Sequence, residues 1–161
     1  MADPNFHSVF TLDAETGRLF WHSPPKNHAE KKGAEAGAVT PATGRNKPYW
    51  QVRAFGRTFK RSRVIFHMTH GYWPEPAVDH INGNSLDDRP INLRAASLSQ
   101  NRANSKARPR SRHALPEGVS LTRQGKFMAR LCSKSLGVFS TPADASIAYQ
   151  KAKTEVYGDF A

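Results

Sequence analysis

An aspartate, a histidine and two asparagines form the group of residues in this sequence that is best suited to chemistry. Asp79 and His80 are adjacent, Asn92 follows the histidine by 12 residues, and Asn101 follows it by 21 residues. A neutral imidazole titrates near physiological pH, so His80 can take a proton from a water molecule. Asp79 and Asn101 offer carboxylate and amide oxygens, hard ligands that suit Mg²⁺ or Mn²⁺ better than Zn²⁺. These residue types predict a hydrolytic site with one divalent ion, whose remaining ligands are waters and substrate oxygens.

The segments around these residues are predicted to form two short strands and a helix. A short apolar strand is predicted to lead into His80, turn residues follow it, and a return strand is predicted over residues 91–94. Ser97 and Gln100 form an S-x-x-Q capping box, so we expect a helix to begin there and to carry Asn101 in its first turn.

The stretch that contains these residues, VDHINGNSLDDRPINLRAASLSQNRAN, closely resembles the HNH nuclease motif in the variant where asparagine replaces the last histidine. It is similar to the HNH domains of phage and intron-encoded homing endonucleases. The resemblance implies a ββα-metal unit within an α+β protein, cleaving DNA to leave 5′ phosphate and 3′ hydroxyl ends. It also implies that His80 is the general base, that Asn92 braces the loop carrying it, and that Asp79 and Asn101 hold the metal.

Four other polar residues near the motif are interpreted without a role in chemistry. Asp87 and Asp88 are adjacent carboxylates of the type that binds metals, but both are interpreted as loop-capping residues. His67 and His70 lie in an apolar run and are interpreted as helix-packing or phosphate-facing residues.

The charge of the chain is distributed unevenly. The formal net charge of +11 divides into +1 for residues 1–50, +3 for residues 51–101 and +7 for residues 102–161. This gradient favours a polyanionic partner that is bound mainly by the C-terminal third, although a solvated basic face would give the same count. The HNH resemblance implies that this partner is double-stranded DNA. The one cysteine, Cys132, excludes an internal disulfide and makes a structural zinc site unexpected. We interpret it as an ordinary sheet residue.

The sequence contains no charged-then-apolar signal pattern and no apolar run long enough to span a membrane. We therefore expect a cytoplasmic protein without a membrane partner, in the host cytoplasm if a phage encodes it. A monomer is expected rather than a stable oligomer.

The N-terminal residues alternate in the manner of short strands. Residues 8–22 predict one hairpin, residues 26–47 a loop of low order, and residues 49–60 a second hairpin. A short helix is predicted over residues 63–69, directly before the motif.

The C-terminal residues predict three strands, over 118–122, 126–132 and 135–139, followed by a helix that Thr141 caps. The apolar stripe of that helix is Ala145, Ala148, Tyr149, Ala152 and Val156. The sequence GVSLTRQGKFMARL, continued by LGVFSTPADASIAYQKA, resembles the AP-two type DNA-binding domain of plant ethylene-response factors. In that family the sheet enters the major groove and the helix packs behind it. Ser120, Thr122 and Ser135 stand where plant members carry DNA-contacting residues, which implies a different sequence selectivity.

The strand alternation also predicts which C-terminal side chains face the core. Phe127, Ala129, Leu131, Val119 and Leu121 are expected to pack on the helix, and the residues between them to face outward. Basic residues of the linker and the sheet are the candidate DNA contacts: Arg108, Arg110, Arg112, Arg123, Lys126, Arg130 and Lys134.

The chain is thus predicted to have four parts. They are a β-rich N-terminal region (1–62), an HNH nuclease domain (63–106), a basic linker (107–116) and an AP-two-like DNA-binding domain (117–161). Two alternatives to a DNA endonuclease stay open. One is a non-catalytic, sequence-selective DNA-binding regulator built on a nuclease-like fold, and the other is a structure-selective nuclease acting on RNA or branched DNA.

Overall fold

The fold is α+β, with several small antiparallel sheets and helices that divide between two compact units. The structure, a computed structural model, describes residues 4–44, 46–104 and 115–161. The boundary between the units lies between Asn101 and Arg102. Most of the predicted basic linker, with Arg108, Arg110 and Arg112, lies outside the described residues. Within the described ranges, no helix has the length and apolar character needed to cross a membrane.

The first unit begins with a 3₁₀ turn (Phe6–Ser8), which is followed by the predicted hairpin of strands β1 (Phe10–Asp13) and β2 (Arg18–Trp21). The Asp13 carboxylate accepts hydrogen bonds from the backbone N–H groups of Glu15 and Thr16, which closes the turn. Gly17 completes it with a φ of 68°, a conformation that glycine adopts without steric cost. The hairpin prediction is confirmed.

A three-stranded antiparallel sheet follows, in the order β3-β4-β5, with β3 (Ala38–Thr40), β4 (Tyr49–Ala54) and β5 (Arg57–Lys60). The β4–β5 hairpin was predicted, and its two turn residues both have positive φ, 50° at Phe55 and 72° at Gly56. The expectation of a loop of low order over residues 26–47 is wrong. That segment contains a 3₁₀ helix (Lys26–Lys31) and the strand β3, which pairs with β4.

Helix α1 (Arg61–His70) packs behind these strands and ends at Gly71, whose φ is 77°. The core of the first unit consists of buried side chains from its strands, from α1 and from the 3₁₀ turn at Phe6, including Phe6, Phe10, Leu19, Val52, Val64, Ile65 and Phe66. His70 stacks on Phe66 with the ring centroids 4.1 Å apart. His67 contacts the rings of Phe6 and Trp73. Both rings thus contact aromatic side chains, as the helix-packing interpretation predicts.

The motif itself folds as strand β6 (Ala77–His80), strand β7 (Leu93–Ala96) and helix α2 (Leu98–Asn104). The return strand starts two residues later than residues 91–94 predict. Pro90 instead begins a 3₁₀ helix (Pro90–Asn92), in which the N–H of Asn92 donates to the carbonyl of Arg89. Proline is favoured at the first position of a helical turn, because its φ is fixed and it has no N–H group that would need a hydrogen-bond acceptor.

The second unit has an antiparallel sheet in the order β10-β9-β8, with β8 (Val119–Leu121), β9 (Phe127–Leu131) and β10 (Lys134–Phe139), and helix α3 (Pro142–Tyr157). Thr141 caps the helix as predicted, accepting a hydrogen bond from the N–H of Asp144. Ala129, Leu131, Ala145 and Tyr149 form the buried core, and Phe127 packs against it. The predicted phase of β9 is therefore confirmed.

Three predictions for this unit are wrong. Leu121 and Val156 are 56% and 63% exposed instead of lying in the core, because each stands at the end of its element. Lys153 is buried on α3 instead, with its Nζ 3.4 Å from a carboxylate oxygen of Glu117. Cys132 is a turn residue between β9 and β10, with a φ of 53°, and does not belong to a strand.

Candidate active site

The side chains of the motif are positioned by the pairing of β6 with β7. In this antiparallel pair, Asp79 lies opposite Arg94 and His80 lies opposite Leu93. The Asp79 side chain is buried, and its Oδ2 accepts a hydrogen bond of 2.9 Å from Arg94 Nε. His80 is the last residue of its strand, so its ring stands where the chain leaves the sheet and enters the loop.

The ring of His80 is held by the carboxylate of Asp88, which the sequence predicts to be a loop-capping residue. Its Nε2 lies 2.9 Å from Oδ1 of Asp88, a side chain that is only 1% exposed. Arg61 Nε donates to the other oxygen of Asp88, also at 2.9 Å. Asp88 is therefore a buried bridge between His80 and Arg61, and the interpretation of it as a loop-capping residue is wrong.

Arg61 is itself held from several sides. Its side chain is buried, its Nη1 donates to Oε1 of Glu35 at 3.0 Å, and its guanidinium lies 4.0 Å from the centre of the Trp50 ring. A buried cation is stable when carboxylates pair with it and an aromatic face covers it. The turn at Gly17 packs closely against the backbone of Asp88 and Arg89, because a Cβ at position 17 would overlap their backbone atoms.

This cluster is hard to predict from the sequence, because its members are far apart along the chain. Arg61 and Asp88 are separated by 27 residues, and Arg61 and Glu35 by 26. The one local signal is that a second carboxylate, Asp88, directly follows Asp87. The loop needs only one capping carboxylate, so the other is available for a different role.

Asn92 ties together the two ends of the loop that follows His80. Its Oδ1 accepts from the backbone N–H of Asn82 at 3.0 Å, and its Nδ2 donates to the backbone carbonyl of Asp87 at 2.7 Å. Its backbone carbonyl accepts from the N–H of Ile81 at 2.9 Å, next to His80. One amide side chain thus holds both sides of the loop, which is the geometry that a bracing residue requires.

Asp87 caps this loop, as predicted. It accepts hydrogen bonds from Nε and Nη2 of Arg89 and from Nδ2 of Asn82, at 2.6 to 2.8 Å. The Arg89 hydrogen bonds, more than any other contact, lower the pKa of this carboxyl to about 2. Because the folded pKa is depressed, the contribution to stability is fully present above roughly pH 4, the ordinary range of aspartate, and is lost as the pH falls through about 2.

The capping box that was predicted from the sequence is present. Ser97 N donates to Oε1 of Gln100 at 2.8 Å, and Gln100 N donates to Oγ of Ser97 at 3.2 Å. The N–H of Asn101 donates to the carbonyl of Ser97 at 3.0 Å, which is the first intrahelical bond. Asn101 therefore lies in the first turn of α2, four residues after the capping residue Ser97.

The side-chain oxygens of Asp79 and Asn101 are of the type that a hard divalent cation prefers. A carboxylate has two oxygens with about four acceptor positions, and Oδ2 of Asp79 accepts from Arg94. The described residues contain no group of three or more His, Cys, Asp or Glu side chains arranged to hold a metal. A site built on Asp79 and Asn101 would therefore suit an ion such as Mg²⁺ or Mn²⁺, which keeps waters and substrate oxygens in most of its coordination shell.

The second unit presents the described DNA-binding candidates on its surface. Arg123, Lys126, Arg130 and Lys134 are all exposed. Arg130 lies opposite Ser135, on the sheet face that points away from the core. Lys134 lies opposite the buried Leu131, so it stands at the hairpin end on the other side of the sheet from Arg130.

Comparison with known proteins gives one match. Residues 59–103 match the family model described as HNH endonuclease, and this stretch contains Asp79, His80, Asn92 and Asn101. The match suggests nuclease activity on nucleic acid. It does not extend to the sheet and helix of the second unit. No curated protein and no solved structure matches the chain.

Proposed function

We propose that this chain is a divalent-metal-dependent endonuclease, of phage or homing type, that nicks or cleaves double-stranded DNA by hydrolysing a phosphodiester bond. The observation that carries the proposal is the arrangement of His80 within the matched segment. The imidazole stands at the end of β6, a buried carboxylate holds one of its nitrogens, and Asn92 fixes the loop beside it. A fixed imidazole beside oxygen donors suits general-base attack of water on a phosphate.

In this proposal each residue of the motif has one task. His80 accepts the proton of the attacking water, and Asn92 keeps the loop from moving the imidazole away. Asp79 and Asn101 would hold Mg²⁺ or Mn²⁺, which when bound neutralises charge on the phosphate and stabilises the departing 3′ oxygen. Arg94, paired with Asp79, orients that carboxylate.

The second unit is proposed to bind DNA through its sheet, and residues 107–116 to link it to the nuclease residues. Residues 102–161 carry 11 Lys or Arg and only 4 Asp or Glu, which suits a polyanionic partner. The outward face of β9 carries Arg130 between the core residues Ala129 and Leu131. A short strand face of this kind fits the width of the major groove. The resemblance to the AP-two type domain supports the same role.

The cleaved ends test the reaction that we propose. Supercoiled plasmid is incubated with the protein and Mg²⁺, and the nicked product is isolated and treated with DNA ligase. Hydrolysis that breaks the 3′ oxygen–phosphorus bond leaves a 5′ phosphate and a 3′ hydroxyl, so ligase should reseal the nick. Nicks that ligase seals only after a 3′ phosphate is removed and a phosphate is added to the 5′ end would contradict the proposed direction of cleavage.

Asp79 gives a prediction about the metal. Asp79→Asn should lower cleavage at low Mg²⁺ and be partly rescued by high Mn²⁺, because the amide can still accept from Arg94 but binds a cation less well. Mn²⁺ binding, followed by its paramagnetic effect on water relaxation, should weaken in parallel. Asp79→Ala is a less clean change, because it also removes the acceptor of a half-buried arginine hydrogen bond. Unchanged Mn²⁺ binding by Asp79→Asn would exclude Asp79 as a ligand.

Arg130 gives a prediction about DNA selectivity. Arg130→Ala should relax sequence preference and cost ~1–3 kcal/mol at a preferred site, because an outward arginine on a groove-facing strand can contact base edges. Lys126→Ala should weaken binding to all sequences about equally, as expected for a phosphate contact. Binding-site selection from a random DNA library measures both changes. An equal loss of affinity for all DNA sequences in the Arg130 variant would indicate that Arg130, too, contacts phosphates and not base edges.

A further inference from the structure

We propose that Asp88 is a positioning residue that fixes the tautomer of His80, and that Arg61 is the reason why position 88 needs a carboxylate and not an amide. The inference rests on the proposed function, in which His80 is the general base. It assigns roles to two residues outside the predicted group of Asp79, His80, Asn92 and Asn101.

The geometry around Asp88 uses both of its oxygens. Oδ1 is 2.9 Å from His80 Nε2, and Oδ2 accepts from Arg61 Nε at 2.9 Å. An ionised carboxylate only accepts hydrogen bonds, so the contact with His80 places a proton on Nε2. In the neutral ring the lone pair is then on Nδ1, which becomes the nitrogen that can accept a proton from water.

Arg61 cannot turn away from Asp88 to bind elsewhere. Its Nη1 is bound to Glu35, its guanidinium stacks on Trp50, and its side chain is 3% exposed. The Nε–H therefore always requires an acceptor at position 88. A guanidinium cannot lose its proton at any pH that a protein tolerates, so this donor is permanent.

An amide at position 88 could not serve both neighbours. An asparagine has one acceptor oxygen and one NH₂ donor, and the cationic Arg61 would take the oxygen. The NH₂ group would then face His80 Nε2 and force that nitrogen to become the acceptor. The proton of the neutral ring would move to Nδ1, the nitrogen that in the proposed reaction accepts the proton of the water. The same fault in serine proteases, where asparagine replaces the aspartate behind the histidine, lowers kcat about 10⁴-fold.

The test compares four variants of the full chain with the parent: Asp88→Asn, Arg61→Met, the double variant, and Glu155→Gln. The last is a matched control, because it also converts a carboxylate to an amide, and it lies on the exposed surface of α3. Two quantities are measured for each protein. One is the single-turnover rate of plasmid cleavage with Mg²⁺, and the other is the His80 tautomer from ¹⁵N NMR of the histidine rings at alkaline pH. A His80→Gln sample assigns the His80 signals, and DNA affinity and thermal unfolding are recorded as controls.

The expected results follow from the hydrogen bonds. The parent should have the Nε2–H tautomer at His80. Asp88→Asn should have the Nδ1–H tautomer and cleave ~10²–10⁴-fold more slowly, the usual cost of losing a general base, with DNA affinity within a few-fold. Adding Arg61→Met should raise the rate of the Asp88→Asn variant by about tenfold or more, because the amide oxygen can then turn to His80 Nε2–H. Glu155→Gln should cleave within about twofold of the parent, as exposed substitutions usually do.

Three results would overturn the proposal. The first is an Nδ1–H tautomer at His80 in the parent. The second is an Asp88→Asn variant whose His80 tautomer does not change, whether its rate stays at the parent value or falls. The third is a double variant that cleaves no faster than Asp88→Asn. The parent spectrum decides the first point even when Asp88→Asn does not fold. Failure of the proposed function looks different: the parent then cleaves no DNA with any divalent ion, whatever tautomer the NMR reports.

Discussion

His80→Ala should remove metal-dependent cleavage of plasmid DNA while leaving DNA affinity within a few-fold of the parent. Losing a positioned general base costs ~10²–10⁴ in rate, whereas DNA affinity depends mainly on contacts with phosphates. The substitution should not unfold the first unit, because Asp88 keeps its ion pair with Arg61 and the ring lies at the end of β6. The rate is measured under single-turnover conditions with Mg²⁺, and affinity by fluorescence anisotropy without it.

A matched control is His22→Ala, which removes an exposed imidazole in the same unit and should leave the rate within about twofold. Cleavage by the His80 variant at the parent rate would contradict the assignment of the base. A parallel loss of DNA affinity and thermal stability would instead assign His80 to the structure of the loop.

A truncated chain of residues 1–106 should keep the nuclease residues but bind DNA much more weakly and with a shallower dependence on salt. The removed part contains Arg123, Lys126, Arg130 and Lys134, all exposed. Each phosphate contact that is lost should reduce the slope of log K against log salt by about 0.9, so loss of three or four contacts reduces it by roughly 3. Anisotropy titrations between low and physiological salt measure the slope directly.

The full chain with Lys151→Gln is the control for this experiment, because it removes one exposed positive charge from α3, which packs on the core side of the sheet. Its slope should change little in comparison with the truncation. An unchanged slope in the truncated chain would show that the second unit is not the main DNA contact, and would move that role to the first unit.

The elements that the sequence predicted well are those whose signals are local. The Ser97–Gln100 capping box, the Thr141 cap and the alternation of β9 each depend on residues a few positions apart. The hairpin turn with positive φ at Phe55 and Gly56 is also a local feature. Such signals determine where an element begins and which of its faces is buried.

The elements that the sequence did not predict depend on partners far along the chain. Strand β3 exists because it pairs with β4, and Ala38, Val39 and Thr40 have no marked alternation of their own. The same reason hid Asp88, whose environment is built by Arg61 and by the turn at Gly17. Asp88, which the sequence predicts to be a loop-capping residue, is thus the buried carboxylate that contacts the candidate general base, His80.

Errors at the ends of elements have a different cause. Leu121 is the last residue of β8, and Val156 is close to the end of α3, so each extends past the core that the sheet and helix can cover. A periodic pattern predicts the direction in which a side chain points. It does not predict how far the opposing element reaches, and that length decides burial.

The most direct test of the central claim is the incubation of supercoiled plasmid with excess full-length protein, with Mg²⁺ or Mn²⁺ in one series and a chelator in the other. Agarose gels then separate supercoiled, open-circular and linear DNA over time. We expect conversion to open circles or linear molecules only in the series with the divalent ion. Equal conversion in the presence of chelator, or no conversion with any divalent ion, would contradict the account of this chain as a metal-dependent DNA endonuclease.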